Sequence, residues 1–184
     1  MRANARRDIV VRTISARSTA GWLEIGGRRY RCALGRGGIG YFKREGDGKT
    51  PAGSWQIIGL LWRRDKEGRF KRPPGHLAPK PIKAAHGWCD AVGDANYNRL
   101  VPMPYPASAE ELWRQDELYD VIIVLSHNHR PRVQGLGSAI FMHVSRVSPN
   151  GTLLATEGCV SLRRKDLDRV LAALKPGGRV RIGL

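Results

Sequence analysis

Cys159 and His143 are the two side chains whose types could carry covalent chemistry together. An imidazole can take the proton of a thiol, and the thiolate that results is a strong nucleophile toward carbonyl carbon. Gly158, immediately before the thiol, would let a carbonyl substrate approach the main chain. The residues after Cys159 are expected to open a helix, whose N-terminal N–H groups would lower the thiol pKa and stabilise an oxyanion. The other thiols promise less. Cys32, between Arg31 and Ala33 in an expected strand, reads as a buried structural residue. Cys89, in Trp88-Cys89-Asp90, reads either as a structural thiol or as a neighbour of a substrate groove.

Metal and nucleotide chemistry are poorly supported. Three cysteines without a CxxC pair make neither a disulfide framework nor a zinc knuckle. His127 and His129 alternate along SHNHRPRV with no carboxylate or thiol at ligand spacing, so they read as a loop at the mouth of a site. His76 and His86 are given no role. Gly35, Gly37, Gly38 and Gly40 are spaced like a phosphate loop, but Gly48-Lys49-Thr50 lacks the upstream glycine that would complete one.

These candidates have to be positioned by short strands. The segments Ile9–Ile14, Trp22–Ile25 and Tyr30–Leu34 read as strands, the last two joined by a tight turn at Gly26-Gly27. A strand is expected from about Ser54 to Leu61, after turns at Asp47-Gly48 and Pro51. Arg63 to Lys83 is basic and proline-rich and reads as an exposed loop. Ala107 to Glu117 has helical composition, with Ser108 as N-cap and Glu110 and Glu111 in the first turn. The continuous run Tyr119–Leu125 predicts a central strand, and Gly137–Val144 another that ends near His143. Leu167, Val170, Leu171 and Leu174 recur at helical spacing within Leu162–Leu174, stopped by Pro176-Gly177-Gly178 and followed by a strand from Arg179 to Ile182.

Bulk composition agrees with one mainly β domain. The 184 residues are 41% apolar, enough for one core, and 22 glycines and 11 prolines imply many turns. We place a basic tail at residues 1–8 and the domain at 9–184. Lys and Arg number 32 against 16 acids, a formal charge of +16, which attracts anionic polymers of any kind. The clusters Arg2, Arg6, Arg7 and Arg63, Arg64, Lys66, Arg69, Lys71, Arg72 lack interleaved aromatics, so nucleic acid is not read as an obligatory partner. No apolar stretch is long enough to span a bilayer, and MRANARRDIVVRTISARS has no continuous apolar run of the kind an export signal needs.

His143 followed by Thr156-Glu157-Gly158-Cys159-Val160 resembles the His…[Ser/Thr]-x-Gly-Cys signature of the L,D-transpeptidase (YkuD-type) catalytic domain. Further blocks resemble the proteobacterial branch of that family in the same order. These are Gly46-Asp47-Gly48-Lys49-Thr50-Pro51-Ala52-Gly53, Trp88-Cys89-Asp90 with Tyr97-Asn98, and Gly137-Ser138-Ala139-Ile140-Phe141; together they span roughly residues 10–183. The resemblance implies a compact β-sandwich or barrel with a few short helices, one following the catalytic Cys. It also implies a cofactor-free reaction in which Cys159 attacks an L-to-D peptide bond of a peptidoglycan stem and the acyl-enzyme passes to an acceptor stem. His143 would be the base, the carbonyl of Val144 its orienting partner, and the N–H groups of Gly158 and Cys159 the oxyanion hole. Thr156, Ser161, Trp88, Tyr97, Asn98 and Gly137, with Asp90, would line the substrate groove.

Two positions depart from the family pattern. Ser161 stands where many members have Arg, and Glu157 where many have His or Arg; Arg163 or Arg164 is the expected source of the missing cation. The basic surface is expected to continue into the site and to capture stem carboxylates. Cross-links of the 1-3 or 3-3 type and a periplasmic location follow from the resemblance. A carboxypeptidase or murein hydrolase on the same site, and a non-catalytic module binding murein or nucleic acid, remain as alternative readings.

Overall fold

The structure, a computed structural model, describes residues 8–67 and 78–184. In chain order its elements are β1 (Ile9–Arg12), β2 (Ala20–Ile25), β3 (Arg28–Ala33), β4 (Ile39–Gly40), β5 (Thr50–Pro51), β6 (Gly53–Trp62) and α1 (Arg64–Glu67). There follow β7 (Lys80–Pro81), β8 (His86–Cys89), β9 (Arg99–Pro102), β10 (Ala109–Glu111), β11 (Val121–Leu125), β12 (Phe141–Val144), β13 (Val160–Leu162), α2 (Arg164–Ala173) and β14 (Arg179–Gly183).

The main sheet runs β11-β12-β13-β3-β2-β1-β14-β6-β7, and β6 also pairs with β11. The first part of β6 bonds β14, from Gly53↔Ile182 to Gln56↔Arg179, and its later part bonds β11, from Ile57↔Leu125 to Trp62↔Val121. One long strand thereby closes the sheet into a barrel, leaving β7 as a side branch, and closure removes the open edges of a flat sheet. Gly26 and Gly27, at φ +56° and +76°, form the two-residue turn that joins β2 to β3, with Ile25 opposite Arg28.

Why β11 is continuously apolar is now plain. Its residues are buried on both faces. Val121, Ile123 and Leu125 join the barrel core with Met142, Val144, Val160 and Leu162, while Ile122 and Val124 join a second cluster with Phe141, Tyr119, Leu61 and Leu112. The second cluster is covered by a separate small sheet, β10-β8-β9. The candidate site is assembled between that sheet and the barrel wall.

Several expectations are corrected. The helix expected at Ala107–Glu117 is instead β10, paired antiparallel to β8 with Glu110 opposite Trp88. Ser108 caps nothing there; its carbonyl accepts the Asp90 N–H. Helix propensity is a weak bias, and cross-strand pairing on β8 together with burial of Leu112 outweighs it. The strand expected from Gly137 begins only at Phe141, because Gly137 and Ala139 have φ of +93° and +51°. Asp8, assigned to the tail, is buried and accepts from the Arg179 N–H and the Arg181 guanidinium. In the loop expected at Arg63–Lys83, Arg63 is buried, its guanidinium 3.7 Å above Trp113 and paired with Asp65. The tail residues 1–7, with Arg2, Arg6 and Arg7, and the positions Arg69, Lys71, Arg72 and His76 lie outside the described residues. No helix among the described residues is long and apolar enough to cross a membrane.

Candidate active site

Parallel pairing of β12 with β13 sets Met142 opposite Val160 and His143 opposite Ser161. Side chains alternate along a strand. Phe141 and His143 therefore share a face with Ser161 and with Cys159, one step before β13, while Met142, Val144, Val160 and Leu162 turn into the barrel core. Strand register, not sequence distance, makes neighbours of Cys159 and His143. Both line a cavity of about 400 Å³.

The resting pair is neutral. Burial pushes the Cys159 thiol up to about 12, reinforced by the negative charge of Glu110 and opposed by the Phe141 N–H and by Lys43. Burial also takes His143 down to about 4. The thiol donates to the Ala139 carbonyl at 3.2 Å, and the Phe141 N–H donates to Sγ at 3.4 Å. His143 Nδ1 lies 2.7 Å from the Val144 carbonyl, which places the proton on Nδ1 and leaves Nε2 as the basic nitrogen. The Tyr119 ring stands edge-on to the imidazole at 5.2 Å and fixes its plane. The thiol activation expected from a following helix does not occur: Cys159 leads into β13, and α2 starts at Arg164.

The loop before the thiol is held from inside. Thr156 Oγ1 donates to the Cys159 carbonyl at 2.7 Å and accepts the Gly158 N–H at 3.2 Å; Thr50 Oγ1 reaches the same carbonyl at 3.5 Å. Thr156 lines the cavity, but its hydroxyl serves the nucleophile loop, and the Gly158 N–H is turned toward it. Gly158 has φ +143°, and a Cβ there would meet the Lys49 carbonyl at 2.9 Å, so only glycine fits. Gly137 is not on the cavity wall; at φ +93° it makes room for the Lys43 side chain.

Trp88, Tyr97 and Asn98, expected to line the groove, stand behind it. Tyr97 is buried and donates its hydroxyl to Glu45. Trp88 packs edge-on against Phe141 at 5.1 Å. Buried Asn98 accepts from the Trp88 indole at 2.9 Å and from the Ala139 N–H at 3.1 Å, and donates to the carbonyls of His127 at 3.3 Å and Asn128 at 2.8 Å. It thus holds Ala139, the residue whose carbonyl accepts the thiol's hydrogen bond, in its left-handed conformation. Asp90 does line the cavity.

Sequence reasoning missed much of the wall. Lys43, Glu45, Glu110, Arg114, Tyr119 and Arg146 all line it, delivered by loops and by β10. Lys43 follows the glycine-rich stretch closely in the sequence, but its burial is shown only by the structure. The cations expected from Arg163 and Arg164 point elsewhere, to the Gly151 carbonyl and to Asp168. Nor does the positive surface extend inward: Lys43, Arg114 and Arg146 face Glu45, Asp90, Glu110 and Glu157. His127 Nε2 lies 2.8 Å from the Leu136 carbonyl, and His129 meets Arg132. Among the described residues no group of three His, Cys, Asp or Glu side chains is arranged to hold a metal. Cys32 and Cys89 are free and buried, their thiols pushed up by desolvation.

A family model described as the L,D-transpeptidase catalytic domain, YkuD, matches residues 7–182. No curated protein and no solved structure gives a significant match.

Proposed function

Since the chain belongs to the YkuD family of L,D-transpeptidase catalytic domains, we propose that it cross-links peptidoglycan stem peptides through an acyl-enzyme on Cys159. The observation that carries this reading is the shared cavity of Cys159 and His143, set by the β12–β13 register. His143 Nε2 takes the thiol proton as the donor stem binds, Nδ1–H remains on the Val144 carbonyl, and Sγ attacks the carbonyl carbon of the L-to-D bond. The thiolate forms beside the Phe141 N–H. The Cys159 N–H serves the developing oxyanion, with Gly158 contributing the open backbone that lets the carbonyl approach. His143 then returns the proton to the departing amine. An acceptor amine resolves the thioester and gives a cross-link of the 1-3 or 3-3 type.

Arg146, on the cavity wall and only loosely paired with Asp116 at 3.9 Å, is placed to meet a stem carboxylate. Ser161 places a small buried hydroxyl opposite His143, at the position where many family members have arginine. The substrate lies outside the cytoplasmic membrane, so we place the enzyme's action in the periplasm.

Mass spectrometry of wild type and Cys159→Ala after incubation with purified disaccharide-tetrapeptide tests this function. A thioester adduct on Cys159 and Cys159-dependent dimers are expected. Identical behaviour of the two proteins would sink the catalytic reading.

A further inference from the structure

Of the four carboxylates on the cavity wall, none of which the acylation chemistry uses, two lie together on the small sheet. Asp90 follows β8 and Glu110 lies on β10. Because Glu110 is opposite Trp88 and the Asp90 N–H bonds the Ser108 carbonyl, Trp88, Asp90 and Glu110 occupy one face of the small sheet. Trp88 packs on Phe141, so that face is the one turned to the nucleophile.

The neighbouring charges are mostly engaged. Lys43 is paired with Asp47, Arg114 with Asp116 and Glu157 with Arg36. Glu45 accepts the Tyr97 hydroxyl. Glu110 accepts a neutral hydroxyl, that of Tyr119, on Oε1. Asp90 has a buried Oδ1 with no hydrogen-bond partner among the described residues. A second observation on the same wall is independent of the acids. Ser161, fully buried and opposite His143, has an Oγ without a partner among the described residues. Buried polar atoms of this kind are costly unless something that enters the cavity satisfies them.

A group that satisfies two carboxylates and a hydroxyl at once is a primary ammonium, with three donors and one positive charge. We infer that Asp90 and Glu110 form the subsite for the acceptor's primary ammonium, and that Glu110 takes the proton that must leave before nitrogen can attack. The inference rests on the transpeptidase reading and deepens it. Burial, with the nearby charges of Asp90 and Glu45, raises the Glu110 carboxyl above the ordinary carboxylate range and makes it a better proton acceptor.

The step balances. One ammonium proton passes to Glu110, and the neutral amine attacks the thioester carbon. The C–N bond forms and the C–S bond breaks. The nitrogen's surplus proton travels through His143 Nε2 to the departing sulfur, which regenerates the thiol, and Glu110 later yields its proton to solvent. Water competes for the same thioester but brings no charge to this subsite, so the two acids favour joining over hydrolysis.

The test compares wild type, Glu110→Gln and Asp90→Asn on purified disaccharide-tetrapeptide. Intact-protein mass spectrometry reads the Cys159 adduct, and product analysis reads the ratio of dimer to hydrolysed monomer. The ratio is expected to fall at least about tenfold in each variant. It is measured only on protein that has acylated, so a poorly folding variant does not imitate the effect. A wild-type ratio in both variants overturns the subsite, as does a wild type that acylates and only hydrolyses. A wild type that never acylates overturns the underlying reading instead.

Discussion

The Sγ of Cys159 lies 3.2 Å from the main-chain carbonyl of Ala139, and that carbonyl, rather than His143, accepts the thiol's hydrogen bond in the resting site. Cys159 is held as a buried thiol beside the buried neutral imidazole of His143. In the proposed reaction, activation belongs to the substrate complex, where displaced solvent and a new carbonyl change the balance between thiol and thiolate.

Alkylation reports this directly. With the thiol near 12, the thiolate is scarce at neutral pH and its fraction grows about tenfold per pH unit. Iodoacetamide labelling of Cys159, followed by peptide mapping to separate it from Cys32 and Cys89, is expected to accelerate steadily from pH 7 to 10. A rate that levels off below pH 8 would instead reveal a preformed thiolate–imidazolium pair.

His143 should make the fold acid-sensitive. Its folded value of about 4 lies below the ordinary 6.5, so between those values the unfolded chain binds the extra proton. Its stabilising contribution is complete above pH 6.5 and is lost as the pH falls toward 4, a change of about 3 kcal/mol. Burial lowers His127 and His129 as well, and their contributions have the same sign. Urea unfolding at pH 4.5 and 7 is expected to show a smaller pH dependence for His143→Gln than for wild type; parallel profiles would contradict the assignment.

Thr156→Val keeps the shape of the side chain and removes its hydroxyl. The Cys159 carbonyl and the Gly158 N–H both lose a partner. We expect about 1–3 kcal/mol of destabilisation and acyl-enzyme formation slowed by roughly tenfold or more, with Thr156→Ser retaining most of the wild-type rate. Equal rates for the Val and Ser variants would remove the hydroxyl from the account.

Asn98→Ala deletes four hydrogen bonds and puts a residue that dislikes φ +55° in place of one that tolerates it. The expected cost is about 2–4 kcal/mol in denaturant midpoint terms. Acylation should slow as well, because Ala139 loses the contact that sets its carbonyl. A variant that is less stable but acylates at the wild-type rate would make Asn98 purely structural.

The candidate nucleophile and base were legible because their chemistry is a property of residue type, and the spaced blocks around them specify the family whose model matches. Most strands were legible for a related reason: β-branched runs, alternation and turn residues such as Gly26-Gly27 are written within a few neighbouring positions. Where the reading failed, the deciding partner lay far away in the chain. Ala107–Glu117 has helical composition, yet β8 offers Glu110 a strand partner some twenty residues back. Asn98 resembled a groove residue until Ala139 and Asn128 came to meet it.

Sequence alone supplied the candidate reactive pair, the thiol of Cys159 and the imidazole of His143, and the mainly β character that holds them. Tertiary structure decided the barrel closure through β6, the neutral state of the pair, and the acid wall of Asp90 and Glu110 in a chain of net charge +16. Residue identity and local period are encoded over a few positions. Desolvation, register and charge pairing depend on which distant segments pack together, and those terms move a pKa by several units or turn a carboxylate toward a site.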